Sequence, residues 1–158
     1  NKNVYCVTGD GSLQMNIQEL QTLVTNKIPV KLIVFNNKGY LLIRHTQNNF
    51  CGGRLIGEGP SSGVGFPNLE KLAHAYDIGY LKIANLEELN KKLGQLANFK
   101  GPVICEVITP SKQLLMPRVA SKQLEDGSFI SLPYDDMFPF LEPAEYQANQ
   151  IRYPADVF

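Results

Sequence analysis

Apolar residues along this chain fall into short blocks separated by glycine-rich or polar turns. Val4–Thr8 is a compact apolar run that ends in Gly9-Asp10-Gly11-Ser12. Behind it, Leu13, Met15, Ile17, Leu20, Leu23 and Val24 recur at the spacing of one helix face, which predicts a helix over 13–25. Pro29 closes that segment, and Val30–Phe35 reads as a fully buried strand. Strand, tight glycine turn, helix and strand form a βαβ unit, the building block of a parallel sheet.

The next stretch, 36–68, breaks the pattern. It holds seven glycines and two prolines among scattered polar residues, so it reads as a long loop with about one helical turn near Tyr40–Thr46. Periodicity returns at Leu69, Leu72, Ala73 and Tyr76, which predicts a short amphipathic helix over 68–76. A strand at Ile78–Ile83 follows. Asn85, with Glu88 three residues on, predicts a capped helix over 86–97. Gly101-Pro102 turns the chain into a strand at Val103–Ile108. Four strands alternating with three helices predict a three-layer α/β domain with a parallel sheet. Residues 111–141 lack clear periodicity and contain Pro117, Pro133 and Pro139, and Pro143 opens a last short helix over 144–151.

Composition narrows the class. A chain of 158 residues, 44% of them hydrophobic, suits one globular domain with a real core, taken here as 1–158. Lys+Arg and Asp+Glu are both 15, so no basic surplus points to nucleic acid. Every strongly apolar run is too short to span a membrane. Three cysteines, Cys6, Cys51 and Cys105, without Cys-x-x-Cys spacing read as free thiols in a reducing, cytoplasmic setting, with Cys6 and Cys105 as packing residues. The chain opens without Met directly on a strand, which reads as a cut inside a larger protein.

Ligands of open parallel sheets bind beyond the carboxyl ends of the strands. Two such ends stand out here, Gly9-Asp10-Gly11-Ser12 and Asn36-Asn37-Lys38-Gly39-Tyr40, and adjacent parallel strands would set them side by side. Glycines and free N–H groups at a helix start suit an anion. A carboxylate at Asp10 beside that anion requires a cation between them. Mg²⁺ takes such a mixed oxygen set, to which Asn37 adds an amide oxygen. A dinucleotide fold fails, since Gln14 stands where a third glycine is needed and Asn36 where an acidic residue is needed. A Walker-type loop fails for want of Gly-Lys-Ser/Thr.

Gly-Asp-Gly followed by a helix and a strand ending in Asn-Asn resembles the fingerprint of thiamine-diphosphate-dependent enzymes, and the 27 positions from Asp10 to Asn37 fit it. The text of residues 9–22, 29–40, 65–78 and 101–110 is similar to acetolactate-synthase-like members, and the resemblance covers most of the chain. Residues 39–50 and 124–140 look like one subgroup of these. The resemblance implies the C-terminal diphosphate-binding domain. It implies thiamine diphosphate and Mg²⁺ as cofactors, with Asp10, Asn37 and the Gly39 carbonyl on the metal. Gly9, Gly11, Ser12, Tyr40 and Leu41 would complete the cofactor site, largely through backbone N–H groups. It also implies a 2-oxo acid substrate, acetolactate-synthase-like carboligation, and a homo-oligomer with the site between subunits. A 2-oxo-acid decarboxylase, or a non-catalytic module that retains the fold, are the alternatives.

The glutamate that activates the cofactor in this family comes from another domain, and no residue here matches it. No catalytic residue is therefore assigned, and the chain alone is expected to be inactive. Glu19 reads as helix surface. Arg44 is a candidate for a substrate carboxylate but more readily a salt bridge. His45 and Gln47 follow the cofactor loop and are candidates, from position alone, to face the active site, and His74 reads as a surface or partly buried helix residue.

Overall fold

The computed structural model describes residues 3–150, and these divide into two compact units, split after Gln113. In the first, strands β1 (Val4–Gly9), β2 (Val30–Asn36), β3 (Gly79–Ile83) and β4 (Val103–Ile108) form one parallel sheet in the order β1-β2-β4-β3. The predicted parallel α/β arrangement is what the chain adopts.

Side-chain alternation along the strands sends apolar residues to both faces. Leu32 and Val34 of β2 and Ile104 of β4 pack with Leu13, Leu20, Leu69, Ala73 and Ile78 on one face. Those residues come from α1 (Asp10–Met15), α2 (Glu19–Thr25), α4 (Leu69–Ala75) and the residue that leads into β3. On the opposite face, Val103 and Cys105 of β4 and Ile83 of β3 pack with Leu96 of α5 (Leu86–Asn98), flanked by Ile33, Leu81 and Leu89. Helices thus cover both faces, giving three layers. The step from β3 back to β4 runs opposite to the earlier steps, and its helix α5 lies on the opposite face. That is what right-handed crossovers demand.

Local signals set the helix boundaries. Asn68 accepts the Lys71 N–H at 2.8 Å and caps α4. Asn85 accepts the Glu88 N–H at 3.0 Å and caps α5, while the Glu88 carboxylate reaches back to the Ala84 N–H at 3.1 Å. Lys31 is almost fully buried on β2, yet its ammonium donates to the carbonyls of Phe99 (2.6 Å) and Gly101 (3.1 Å) just past α5.

Several expectations are corrected. The helix over 13–25 is two helices, α1 and α2, because Asn16 leaves helical geometry (φ −131°, ψ 35°). The turn near Tyr40 is a ten-residue helix, α3 (Leu41–Phe50). β1 is an edge strand with Val4, Tyr5, Cys6 and Val7 exposed, so Cys6 is not a packing residue, whereas Cys105 is fully buried. Alternation alone does not distinguish an edge strand from a central one.

The second unit holds an antiparallel hairpin, β5 (Ser121–Gln123) with β6 (Phe129–Ser131), whose turn is held by the Asp126 carboxylate on the Ser128 N–H (2.9 Å) and hydroxyl (2.6 Å). Arg118 pairs with Phe138 across a bridge and lies over its ring. The last helix, α6 (Pro143–Asn149), starts at the expected proline, and its expected end at Ile151 lies outside the described residues.

Candidate functional site

Parallel pairing of β1 with β2 sets Gly9 opposite Phe35, so both strands end at the same level. The loop after β1 and the loop after β2 therefore meet. Asp10 opens α1 immediately after the strand and is 4% exposed. Its Oδ1 accepts the Gly11 N–H at 2.8 Å, and its Oδ2 accepts the Gly39 N–H from the other loop at 3.2 Å. Burial pushes the Asp10 carboxyl above the usual carboxylate range, while the N–H groups of Gly11, Gly39 and Lys38 pull it the other way. α1 has only six residues, so its contribution to an anion is a set of free N–H groups rather than a long dipole.

β2 ends at Asn36, and the chain then turns through Asn37, Lys38 and Gly39, with Lys38 in the left-handed region (φ 57°). The Asn36 Oδ1 accepts the Lys38 N–H at 3.1 Å and holds that turn. Asn37 presents a buried Oδ1 that has no hydrogen-bond partner. Tyr40 donates its N–H to the Glu58 carbonyl at 2.7 Å, and its ring meets Phe66 edge-on at 5.7 Å between centroids.

The backbone is close-packed at two glycines. A Cβ at Gly39 would run into the Glu58 carbonyl and the Arg44 guanidinium, and one at Gly11 would run into the Tyr40 ring. The concavity between the two loops measures about 320 Å³. It is lined by all eight residues singled out in the sequence, Gly9, Asp10, Gly11, Ser12, Asn37, Gly39, Tyr40 and Leu41, together with Leu42 and Ile43. Asp10 is the sole carboxylate in that lining. Among the described residues no group of three His, Cys, Asp or Glu side chains is placed to hold a metal ion.

Arg44 forms a salt bridge with Glu58 and also donates to the Ser111 carbonyl, so it is committed to structure. His45 Nε2 lies 3.0 Å from the Gln113 carbonyl and is outside the concavity. Gln47 clamps the Ile56 backbone through both ends of its amide, at 2.8 and 2.9 Å. Glu19 is exposed and accepts the Thr22 hydroxyl, and His74 is exposed on α4.

Sequence reasoning missed Glu58. It is 1% exposed, and it supports the Gly39–Tyr40 turn through its carbonyl while binding Arg44 through its carboxylate. The available signal was a charged residue between two glycines, Gly57-Glu58-Gly59, where the backbone folds tightly enough to bury it. The Ser62 hydroxyl accepts the N–H groups of Glu58 (2.9 Å) and Gly59 (3.0 Å) and secures that fold.

The family model described as thiamine pyrophosphate enzyme, C-terminal TPP binding domain, matches residues 1–107. The chain belongs to the thiamine pyrophosphate enzyme family. The match runs from residue 1, ahead of β1, to Val107 in β4, so it reaches all four strands of this TPP-binding domain and takes in both loops of the concavity. Its relatives include the acetolactate synthase large subunit of Porphyra purpurea, 33% identical over 120 residues, which is 76% of this chain and 20% of that protein. The acetolactate synthase large subunit of Haemophilus influenzae is 39% identical over 101 residues, 64% of this chain and 17% of that protein. That of Buchnera aphidicola is 41% identical over 97 residues, 61% of this chain and 16% of that protein. This TPP-enzyme chain spans about a fifth of the length of the curated relatives it matches first. No helix among its described residues is long and apolar enough to cross a membrane.

Proposed function

We propose that this chain is the diphosphate- and magnesium-binding part of a thiamine-diphosphate enzyme that acts on 2-oxo acids by acetolactate-synthase-like carboligation. One observation carries the proposal: the buried, unpartnered Asn37 Oδ1 in the same concavity as the buried Asp10 carboxylate. A buried acceptor without a partner costs about 1–3 kcal/mol. A divalent cation repays that cost, because it takes oxygen ligands of mixed type. The Asp10 oxygens each accept one N–H and retain a second lone pair, so they too have capacity for a metal.

On this reading Asp10 and Asn37 hold Mg²⁺ through side-chain oxygens, and Gly39 adds its carbonyl. Ser12 and Leu41 turn N–H groups toward the diphosphate, while Gly9, Gly11 and Tyr40 line the site, the Gly11 and Tyr40 N–H groups being held by the Asp10 carboxylate and the Glu58 carbonyl. When bound, the cofactor supplies a nucleophilic carbon and an electron sink for the 2-oxo acid. The contribution of this chain is anchoring: it neutralises the diphosphate and fixes it to the ends of β1 and β2. The activating glutamate, the acceptor choice and the full active site belong to the rest of a cytoplasmic, homo-oligomeric parent enzyme whose site lies between subunits. The chain alone is inactive on this reading, and neither nucleic acid nor a membrane has a part in it.

Calorimetric titration with thiamine diphosphate, with and without Mg²⁺, tests the proposal. Binding that requires the metal and vanishes in Asp10→Ala is the expected result. Equal binding without metal, or binding unchanged in Asp10→Ala, would sink the metal assignment. Absence of binding by the well-folded chain at millimolar cofactor would remove its standing as a binding unit.

A further inference from the structure

A second buried carboxylate lies outside the concavity. Glu106 sits on β4 directly after Val103, Ile104 and Cys105, all fully buried, and is itself 7% exposed. A lone carboxylate in such surroundings is costly unless both oxygens are hydrogen-bonded. Here both are. Asn36 Nδ2, at the end of β2, donates to Oε1, and the Tyr80 hydroxyl, on β3, donates to Oε2. Since β4 lies between β2 and β3, Glu106 joins three neighbouring strands.

The bond to Asn36 has a directional consequence. A carboxylate only accepts, so it takes the NH₂ end of the Asn36 amide. The amide oxygen must then face the other way, where it accepts the Lys38 N–H at 3.1 Å. Lys38 is a non-glycine residue at φ 57°, a conformation that needs such local support. On either side of Lys38 stand Asn37 and Gly39, two of the proposed metal ligands. The Tyr80 phenol, pushed far up by burial and by the Glu106 charge, stays protonated and keeps the second oxygen occupied.

We infer that Glu106 is a positioning residue for the metal-binding turn, acting through Asn36 to orient Asn37 and Gly39 from the neighbouring strand. The inference rests on the proposed Mg²⁺ site for its consequence, but its structural half is testable without metal.

In the metal-free chain, amide hydrogen exchange at Lys38 is expected to quicken at least about tenfold in Glu106→Ala and in Asn36→Ala, while the Val34 amide in mid-strand keeps its protection. Asn36→Ala breaks the same relay at the end of β2 and leaves β4 intact, so it serves if Glu106→Ala folds poorly. With thiamine diphosphate present, the Mg²⁺ half-saturation is expected to rise about 10–100-fold in both variants, as for loss of a residue that orients a ligand. Glu106→Gln can still accept from Asn36 while donating to the Tyr80 oxygen, so it is expected to restore binding to within about threefold of the parent chain. Leu96→Ala, which truncates the opposite face, is expected to lower stability and leave the Mg²⁺ half-saturation unchanged.

Unchanged Lys38 exchange in both relay variants would overturn the inference. So would a half-saturation that moves no more than in Leu96→Ala. If the parent chain binds no metal but Lys38 exchange responds as expected, the proposed function has failed, and Glu106 holds the turn with no metal role.

Discussion

The Gly39 N–H donates to the Asp10 carboxylate at 3.2 Å, joining the loop that ends β1 to the loop that ends β2. Twenty-nine positions separate the two residues in the chain, and this bond closes the concavity between them. Asp10 thereby ties the two loops together, and the residues around it are held closely enough that small changes should be felt.

The two close-packed glycines are expected to differ in what they tolerate. Gly39→Ala sets a Cβ against the Glu58 carbonyl, which is backbone and cannot step aside. It is expected to destabilise the chain by about 1–3 kcal/mol, the usual cost of overpacking, and to abolish metal-dependent binding. The three atoms nearest a Cβ in Gly11→Ala all belong to the Tyr40 ring, a side chain that can rotate. Its stability loss is expected to be smaller, with cofactor affinity falling because Tyr40 is displaced. Urea denaturation and calorimetric titration of both variants check this contrast.

Arg44 and Glu58 form an ion pair with only 12% and 2% of their side chains exposed. Removing one partner leaves a buried charge uncompensated. Arg44→Ala is expected to cost about 3–5 kcal/mol. The Arg44→Ala/Glu58→Ala double variant is expected to cost less than the sum of the singles, because no lone charge remains. A double-mutant cycle in urea measures the coupling. Strict additivity would show that the pair does not act as a unit.

Lys31 holds the carbonyls of Phe99 and Gly101 after α5. Lys31→Met keeps most of the apolar stem and removes both bonds, at an expected cost of about 1–3 kcal/mol for each carbonyl left unpaired. Hydrogen exchange is expected to locate the loosening at the last turn of α5 and the entry to β4.

The three thiols are expected to react in two classes. Cys6 and Cys51 are exposed and should be modified rapidly at pH 8, while Cys105 waits for unfolding. Burial pushes the Cys105 thiol up. A raised folded value favours the protonated form in the native state. Its contribution to stability is therefore complete below the ordinary thiol pKa of about 8.5 and is lost as the pH rises through the folded value. Cys105→Ala removes that alkaline loss, so its stability difference from the parent should narrow above about pH 9. Thiol titration with a chromogenic disulfide, and urea midpoints against pH, check both parts.

Much of this protein was legible in one dimension. The βαβ opening follows from apolar spacing, the helix near 69–75 from the spacing of Leu69, Leu72 and Ala73, the helix start at 86 from Asn85, and the paired motifs at 9–12 and 36–41 from strand ends that carry unusual residues. Those signals are local, since each depends on neighbours within a few positions. Pairing β1 with β2 then obliges the two motifs to meet, and the concavity is lined by all eight residues the sequence singled out.

What the tertiary structure decided depends on contacts between distant positions. Val4 and Val7 look as apolar as Val103 and Ile104, yet β1 lies at the sheet edge and β4 inside it, and only strand order separates them. Arg44 was open to several roles until Glu58, fourteen positions away, took its charge. Glu106 reads as an ordinary strand residue until Asn36 and Tyr80 close on its two oxygens from either side. The sequence by itself determined which residues line the concavity, because motif chemistry is written in adjacent positions. Only the tertiary structure decided what holds those residues in place, because a buried charge finds its partners across the sheet rather than along the chain.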